Sequence, residues 1–346
     1  MTSQQLLGLV IVAFAGLFVG SGAWPMKLMK RFQFEHWWGI GMFIGLILVP
    51  WGVTLLFCPH ALEAYAKVPA RTLLVANLWA AGWGVANILC GLCFVRIGVA
   101  LTGAILTGLG VSIGVTLPMV VKGSGLFKDA ANLGSPAGLT VLVGVGVMLL
   151  GVVLAAQAGF GRDRVLRKQQ QRAGSFLGGL LMTVIAGVLS CGMSLSFVYS
   201  QGPIVAAMKA NGASDLAATF SVWAVGLLGG SLLNILYPAW LMTKNKSWGV
   251  LATSWKEVLL ASVIGFNMAL GIVLMGTGML LVGAFGASVG FGIQQAAQML
   301  GGQGLGFISG EWKGVMGVPR KLMYAAIALL ILAAVIMASG NNQGKT

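Results

Sequence analysis

The sequence predicts an all-α polytopic membrane protein: ten transmembrane helices arranged as two inverted five-helix repeats. Three observations carry this reading. Hydrophobic residues make up 58% of the 346 and charged residues 8%, with a mean hydropathy of +0.93, a balance that excludes a water-soluble domain of this length. Ten apolar stretches can be counted. Most reach the ~20 residues needed to cross a hydrocarbon layer of ~30 Å, and none alternates in polarity as a β-barrel strand would. Finally, the window 81–114 returns 180 residues later without a gap. Asn87, Gly91, Gly98, Leu101, Gly103, Ala104, Gly110 and Ile113 fall on Asn267, Gly271, Gly278, Leu281, Gly283, Ala284, Gly290 and Ile293. Glycine is common in this chain, so the weight rests on an intramembrane Asn held in phase with four glycines.

Taken in order, the first stretch, 4–24, contains no Lys or Arg. It is expected to be a retained helix, since a secretory leader has a basic start and a shorter apolar core. A basic loop with Lys27, Lys30 and Arg31 leads to Glu35, His36, Trp37 and Trp38. The second stretch, 37–57, contains Pro50, which removes a helical hydrogen bond and predicts a kink. Stretches 73–94, 98–121 and 137–158 complete a first unit, residues 1–160. The polar run 161–173 reads as a basic cytoplasmic linker, a solvated hinge meeting anionic lipid. Stretches 175–199, 217–242, 257–279, 281–308 and 322–339 form the second unit, 174–346. Because each unit has five crossings, the second must enter the membrane upside down, the architecture of many secondary transporters.

Charge sets the orientation. Odd-numbered loops hold 15 of the Lys and Arg residues, and even-numbered loops with the termini hold 6. The positive-inside rule then makes the odd loops cytoplasmic and puts both termini outside. It also accounts for the net charge of +14, so no nucleic-acid partner is expected.

Polar residues inside apolar stretches are the candidate site. Trp79, Trp83 and Asn87 are spaced i, i+4, i+8 and share a helix face. Indole rings can cover the apolar face of a small solute, and an amide can meet its polar groups. Gln294 and Gln298 form an i, i+4 pair that must face protein or a wet cavity, because amides cannot face hydrocarbon. Ser190 with Ser194, Asn234 and Asn267 are further candidates, each also able to serve only as a link between helices. The duplication predicts that Asn87 and Asn267 face one cavity near the midplane, with Trp83 and Gln294 close by.

All seven acids lie outside the apolar centres, and the stretch 283–295 contains no ionisable group. Glu35 and Glu311 are candidates for coupling or gating. They would either pair with Lys27, Lys30, Lys313 or Arg320, or carry a proton. Four cysteines, including the C-x-x-C of Cys90 and Cys93 within an apolar helix, give neither a metal set nor a disulfide framework. No catalytic constellation appears, so an enzyme, a cofactor and a metal are not expected.

Several motifs together resemble the L-rhamnose–proton symporter family of the drug/metabolite transporter superfamily. They are Pro25-Met26-Lys27 with Lys30, Arg31, Glu35 and Trp38; Pro50-Trp51; Trp83-Gly84 with Asn87 and Gly91; Ser190 to Ser194; Gly229-Gly230 with Asn234; and Gly301-Gly302 with Glu311-Trp312. They occur in the same order along nearly the whole chain. The resemblance implies a bacterial inner-membrane importer of a small polyhydroxylated solute, possible proton coupling, and periplasmic termini. A metabolite or drug exporter on the same fold, or a non-transporting scaffold or sensor, remain the alternatives. Oligomeric state is not legible.

Overall fold

The computed structural model describes residues 2–22, 24–97, 99–166 and 176–343. Regular structure among them is helical throughout. The order is α1 (Ser3–Ser21), α2 (Phe34–Phe43), α3 (Val49–Phe57), α4 (Ala61–Ala66), α5 (Ala70–Ile97), α6 (Val99–Val120) and α7 (Pro136–Val165). Then follow α8 (Phe176–Leu189), α9 (Gly192–Ala210), α10 (Asp215–Gly226), α11 (Leu228–Lys244), α12 (Trp255–Val282), α13 (Phe291–Ile308) and α14 (Val318–Gln343). By length and hydropathy seven helical segments can cross a membrane, or eight with the bent pair α10–α11 taken as one. Leu74, Leu78, Val143, Leu150, Leu332 and Val335 are exposed on outer faces, apolar surface suited to lipid. This is a multi-pass membrane protein.

Helix ends and breaks follow from local chemistry. The Thr2 hydroxyl caps α1 by accepting from the Gln5 N–H, and Ser135 caps α7 ahead of Pro136, each satisfying an orphan donor of the first turn. Pro50 does perturb the second stretch. A π-helical turn, Ile44–Leu48, separates α2 from α3, since proline cannot donate and crowds the carbonyl four residues back. The pair α10–α11 bends by 53° at Leu227. Between α12 and α13 the chain breaks at Gly283, whose φ of 85° favours glycine. The sixth stretch runs further than its apolar core suggested, to Ala210. Its polar extension buries Ser200 and Gln201. Residues 161–165 of the expected linker belong to the last turn of α7, and 167–173 lie outside the described residues.

Glycines let the helices close. α1 packs against both α12 and α13. Gly8 meets the Gly278 carbonyl, while Gly16 and Gly20 meet the carbonyls of Gln294 and Gln298. Likewise Gly84 of α5 closes on Gly230 of α11, and Gly265 of α12 on Gly41 and Gly45. Small residues permit such approach where no hydrophobic effect drives helices together. α7 and α14 form a separate long pair.

The two ends of the bundle differ. At the end holding Ser124 and Tyr65, Ser124 is fixed to α9: its N–H donates to the Val198 carbonyl (3.0 Å), and its carbonyl accepts from Gln201 Nε2 (2.7 Å). Phe127 is fully buried beneath it, and Phe197 stacks on Trp223 with centroids 4.5 Å apart. The Tyr65 hydroxyl donates to the Ser221 carbonyl at 2.7 Å. This end is shut. The other end, holding Arg162 and Glu311, opens into a cavity.

Candidate functional site

An inner cavity of about 400 Å³ lies among α1, α2, α5, α6, α12 and α13. An outer one of about 470 Å³ adjoins it, sharing Val19, Thr107, Gln295 and Gln298. Both sizes suit a small-molecule site.

Aromatic and amide groups divide the inner wall. Trp37, Trp38, Trp83 and Phe291 provide rings, and Asn87, Gln294, Gln295 and Gln298 provide amides. None of its lining residues among those described is Asp, Glu, Lys, Arg or His. Trp38 is held from both sides. Phe34 stacks on it at 5.3 Å, and Trp37 meets it edge-on at 5.6 Å. Gln294 is 2% exposed. Its Nε2 donates to Gln298 Oε1 at 3.1 Å, and its Oε1 has no partner among the described residues. A buried, unsatisfied acceptor costs ~1–3 kcal/mol, which a solute hydroxyl or an ordered water would recover.

The candidate residues separate into three groups. Trp83, Asn87, Ser190, Gln294 and Gln298 line the inner cavity, although Ser190 spends its hydroxyl proton on the Gly187 carbonyl at 2.7 Å. Asn234 and Ser194 lie behind the wall, both fully buried. Asn234 Oδ1 accepts from Trp38 Nε1 at 3.3 Å and from Asn87 Nδ2 at 3.2 Å. Trp79 and Asn267 are outside the lining. Trp79 sits one turn along α5, where its carbonyl is approached by Gly192. Asn267 turns away from its expected place opposite Asn87: its Nδ2 donates to the Gly22 carbonyl at 3.4 Å, at the end of α1.

Ion pairs guard the outer cavity. Lys27 Nζ meets Glu311 Oε1 at 2.6 Å and Ser309 Oγ at 2.7 Å, and Arg162 lies 3.1 Å from Glu311 Oε2. Arg162 also covers the Trp312 ring at 5.5 Å, a cation–π contact. The cluster joins the turn after α1, the end of α7 and the loop between α13 and α14. Pairing of Glu311 with Lys27 was among the expected options; pairing with Arg162 was not. Glu35 is elsewhere, 8% exposed and accepting from Asn245 Nδ2 at 3.0 Å. Lys30 is exposed, and its main-chain N–H donates to Glu257 Oε1 at 3.1 Å. That carboxylate also accepts from the N–H groups of Arg31 and Phe32, fixing the basic turn to α12.

Sequence reasoning did not assign Trp37, Trp38 or Phe291 to the wall. The i, i+3, i+4 spacing of Phe34, Trp37 and Trp38 was the available signal of one aromatic face.

This geometry can be set beside known proteins. The family model described as L-rhamnose-proton symport protein matches residues 4–341. The chain belongs to that family. A relative named L-rhamnose-proton symporter from Pectobacterium atrosepticum is 27% identical over 323 residues, covering 91% of this chain and 92% of that one. Relatives of the same name from Yersinia pestis and Yersinia pseudotuberculosis are 29% identical over 215 residues, 62% of this chain. The chain spans 60% of the length of these Yersinia relatives in that match.

Proposed function

We propose that this symporter-family member imports a small, uncharged polyhydroxylated solute of the rhamnose kind together with a proton, by alternating access. The observation that carries the proposal is a cavity walled by indoles and amides, free of charged lining residues among those described and reachable from one end of the bundle. Tryptophan faces suit sugar C–H surfaces, and amides suit hydroxyls. The names of the Pectobacterium and Yersinia relatives point to the same solute class.

Ten crossings as two inverted repeats, with units 1–160 and 174–346 about the linker, remain our reading of the architecture. The apolar stretch Trp255–Ile308 supports it. Its 54 residues would extend ~80 Å as one helix, far beyond a ~30 Å core, so the break at Gly283 counts as a turn between two crossings. Packing supports it too. α1 touches α12 and α13 while α8 touches α5 and α6; α2 touches α12 while α11 touches α5. Exchanging each crossing for the one five later reproduces these pairs. With odd loops cytoplasmic and termini periplasmic in an inner membrane, the open cavity faces inward and the Ser124 and Phe127 layer is the closed outer gate.

For coupling we favour Glu311 over Glu35, because Glu311 lines the outer cavity. When ionised it ties Lys27 and Arg162 together; a proton on it would weaken both pairs and free the three segments they join. Uptake of labelled L-rhamnose into sealed proteoliposomes, with pH followed outside, tests this. Sugar-induced alkalinisation should be seen in the wild type, lost in Glu311→Gln and kept in Glu35→Gln. Full coupling in both variants would end the assignment, and no uptake of any sugar in a panel would end the solute reading. Cysteines at Thr2 and Lys313 check orientation in intact cells: an impermeant thiol reagent should label only the first.

A further inference from the structure

Asn234, on α11, is fully buried and bonded at both its oxygen and its nitrogen. Its Oδ1 accepts from Trp38 Nε1 (3.3 Å) and Asn87 Nδ2 (3.2 Å), and its Nδ2 donates to the Gly230 carbonyl (2.9 Å). The O and N of an Asn amide can ordinarily be exchanged without visible conflict. Here both ends of the chain of bonds forbid the exchange. An indole N–H can only donate, and a main-chain carbonyl can only accept. Trp38 must therefore meet the oxygen of Asn234, and Gly230 its nitrogen. With that oxygen fixed, Asn87 has to present its NH2 group to Asn234. Its own Oδ1 is left for the cavity that Asn87 lines.

We infer that Trp38 and Asn234 are positioning residues that preset Asn87 as a hydrogen-bond acceptor, so that the cavity selects a solute hydroxyl acting as donor at that point. This rests on the solute reading above and sharpens it. The Trp38 N–H is consumed by Asn234, so Trp38 offers the solute only its ring. A fixed acceptor favours a polyol and disfavours ethers, ketones or fluorinated isosteres, which bring no donor.

Binding of L-rhamnose and its monofluoro analogues to the purified full-length protein tests the inference. Fluorine replaces a hydroxyl at similar size but cannot donate. The wild type should bind at least one analogue about five- to tenfold more weakly than the parent, the scale of one hydrogen bond. Asn87→Ala should bring that ratio close to one. Trp38→Phe keeps an aromatic ring but removes one of the two groups that fix the Asn234 amide, leaving the Gly230 carbonyl as its one remaining anchor, and should shrink the ratio as well. A wild-type ratio in Trp38→Phe would overturn the inference while leaving the solute reading intact.

If L-rhamnose does not bind the wild type, the solute reading fails, and the brace is judged without it. In protein labelled with 15N-tryptophan, the Trp38 indole signal is identified by its loss in Trp38→Phe. It should move in Asn234→Leu, or in Asn87→Ala should the leucine variant not fold. An unmoved signal in a folded variant would overturn the brace.

Discussion

Asn87 and Asn267 stand at the same place in two matching windows of sequence, yet the fold uses them differently. Asn87 bonds to Asn234 and lines the cavity; Asn267 bonds to the Gly22 carbonyl and does not. The neighbouring helix explains the difference. Beside Asn267, α1 stops at Ser21, leaving terminal carbonyls that need donors. Beside α5, the break between α8 and α9 supplies its own donors: Ser190 Oγ to the Gly187 carbonyl at 2.7 Å and Cys191 Sγ to that of Val188 at 3.1 Å. Asn87 is thus released for the cavity. What the two windows share is the close packing of backbones at glycine, and what they do not share is the use of their polar side chains.

The largest expected effect tests the shared part. A Cβ on Gly230 would press on the Ala80 carbonyl oxygen and come within 2.9 Å of the Trp83 ring; one on Gly265 would lie 2.7 Å from the Gly41 carbonyl oxygen. A main-chain atom cannot step aside as a flexible side chain can, so each helix pair would have to separate. Overpacking ordinarily costs ~1–3 kcal/mol, and valine at either position should reach or exceed the top of that range. Gly230→Val and Gly265→Val should both lose most of their folded yield in size-exclusion chromatography and melt well below the wild type. Survival of only one would mean that the two crossings are not equivalent.

A smaller effect tests the part that differs. Asn87→Ala removes a side chain from the cavity wall and should weaken sugar binding about five- to tenfold, with little change in melting temperature. An unchanged affinity with a clear loss of stability would make Asn87 a link between helices, and the contrast with Asn267 would vanish.

The same contrast marks what could be read from sequence. Apolar runs gave away the helices because hydrocarbon tolerates little else, and Pro50 announced the break now seen as a π-turn. The inward face of Gln294 and Gln298 followed from the cost of burying amides in lipid. Lys27 and Glu311 were legible as charges crowded at one end of the bundle. Arg162 was not tied to them, because the run after residue 160 looked like a solvated linker when its start in fact extends α7. Trp38 stood after a basic loop with no assigned role, and its place in the wall depends on a contact with Asn234, 196 residues away. Asn267 was misjudged for a related reason: a repeat predicts where a residue sits, whereas its bonding depends on where a neighbouring helix happens to stop.

The smallest expected effect is therefore the most informative about Asn267. Its bond to Gly22 is long, 3.4 Å, and interhelical hydrogen bonds within membranes average only ~0.6 kcal/mol. Gly22 itself borders the inner cavity, so water entering there can reach the carbonyl that Asn267→Ala would release, which lowers the penalty further. The variant should melt only slightly below the wild type, and its affinity for L-rhamnose should be unchanged. Paired thermal-shift and binding measurements on Asn87→Ala and Asn267→Ala would thus give crossed results, affinity lost in one and a little stability in the other. An affinity loss in Asn267→Ala equal to that in Asn87→Ala would bring Asn267 into the site, through a rearrangement of the end of α1 on solute binding, and the two windows would then be alike in function as well as in packing.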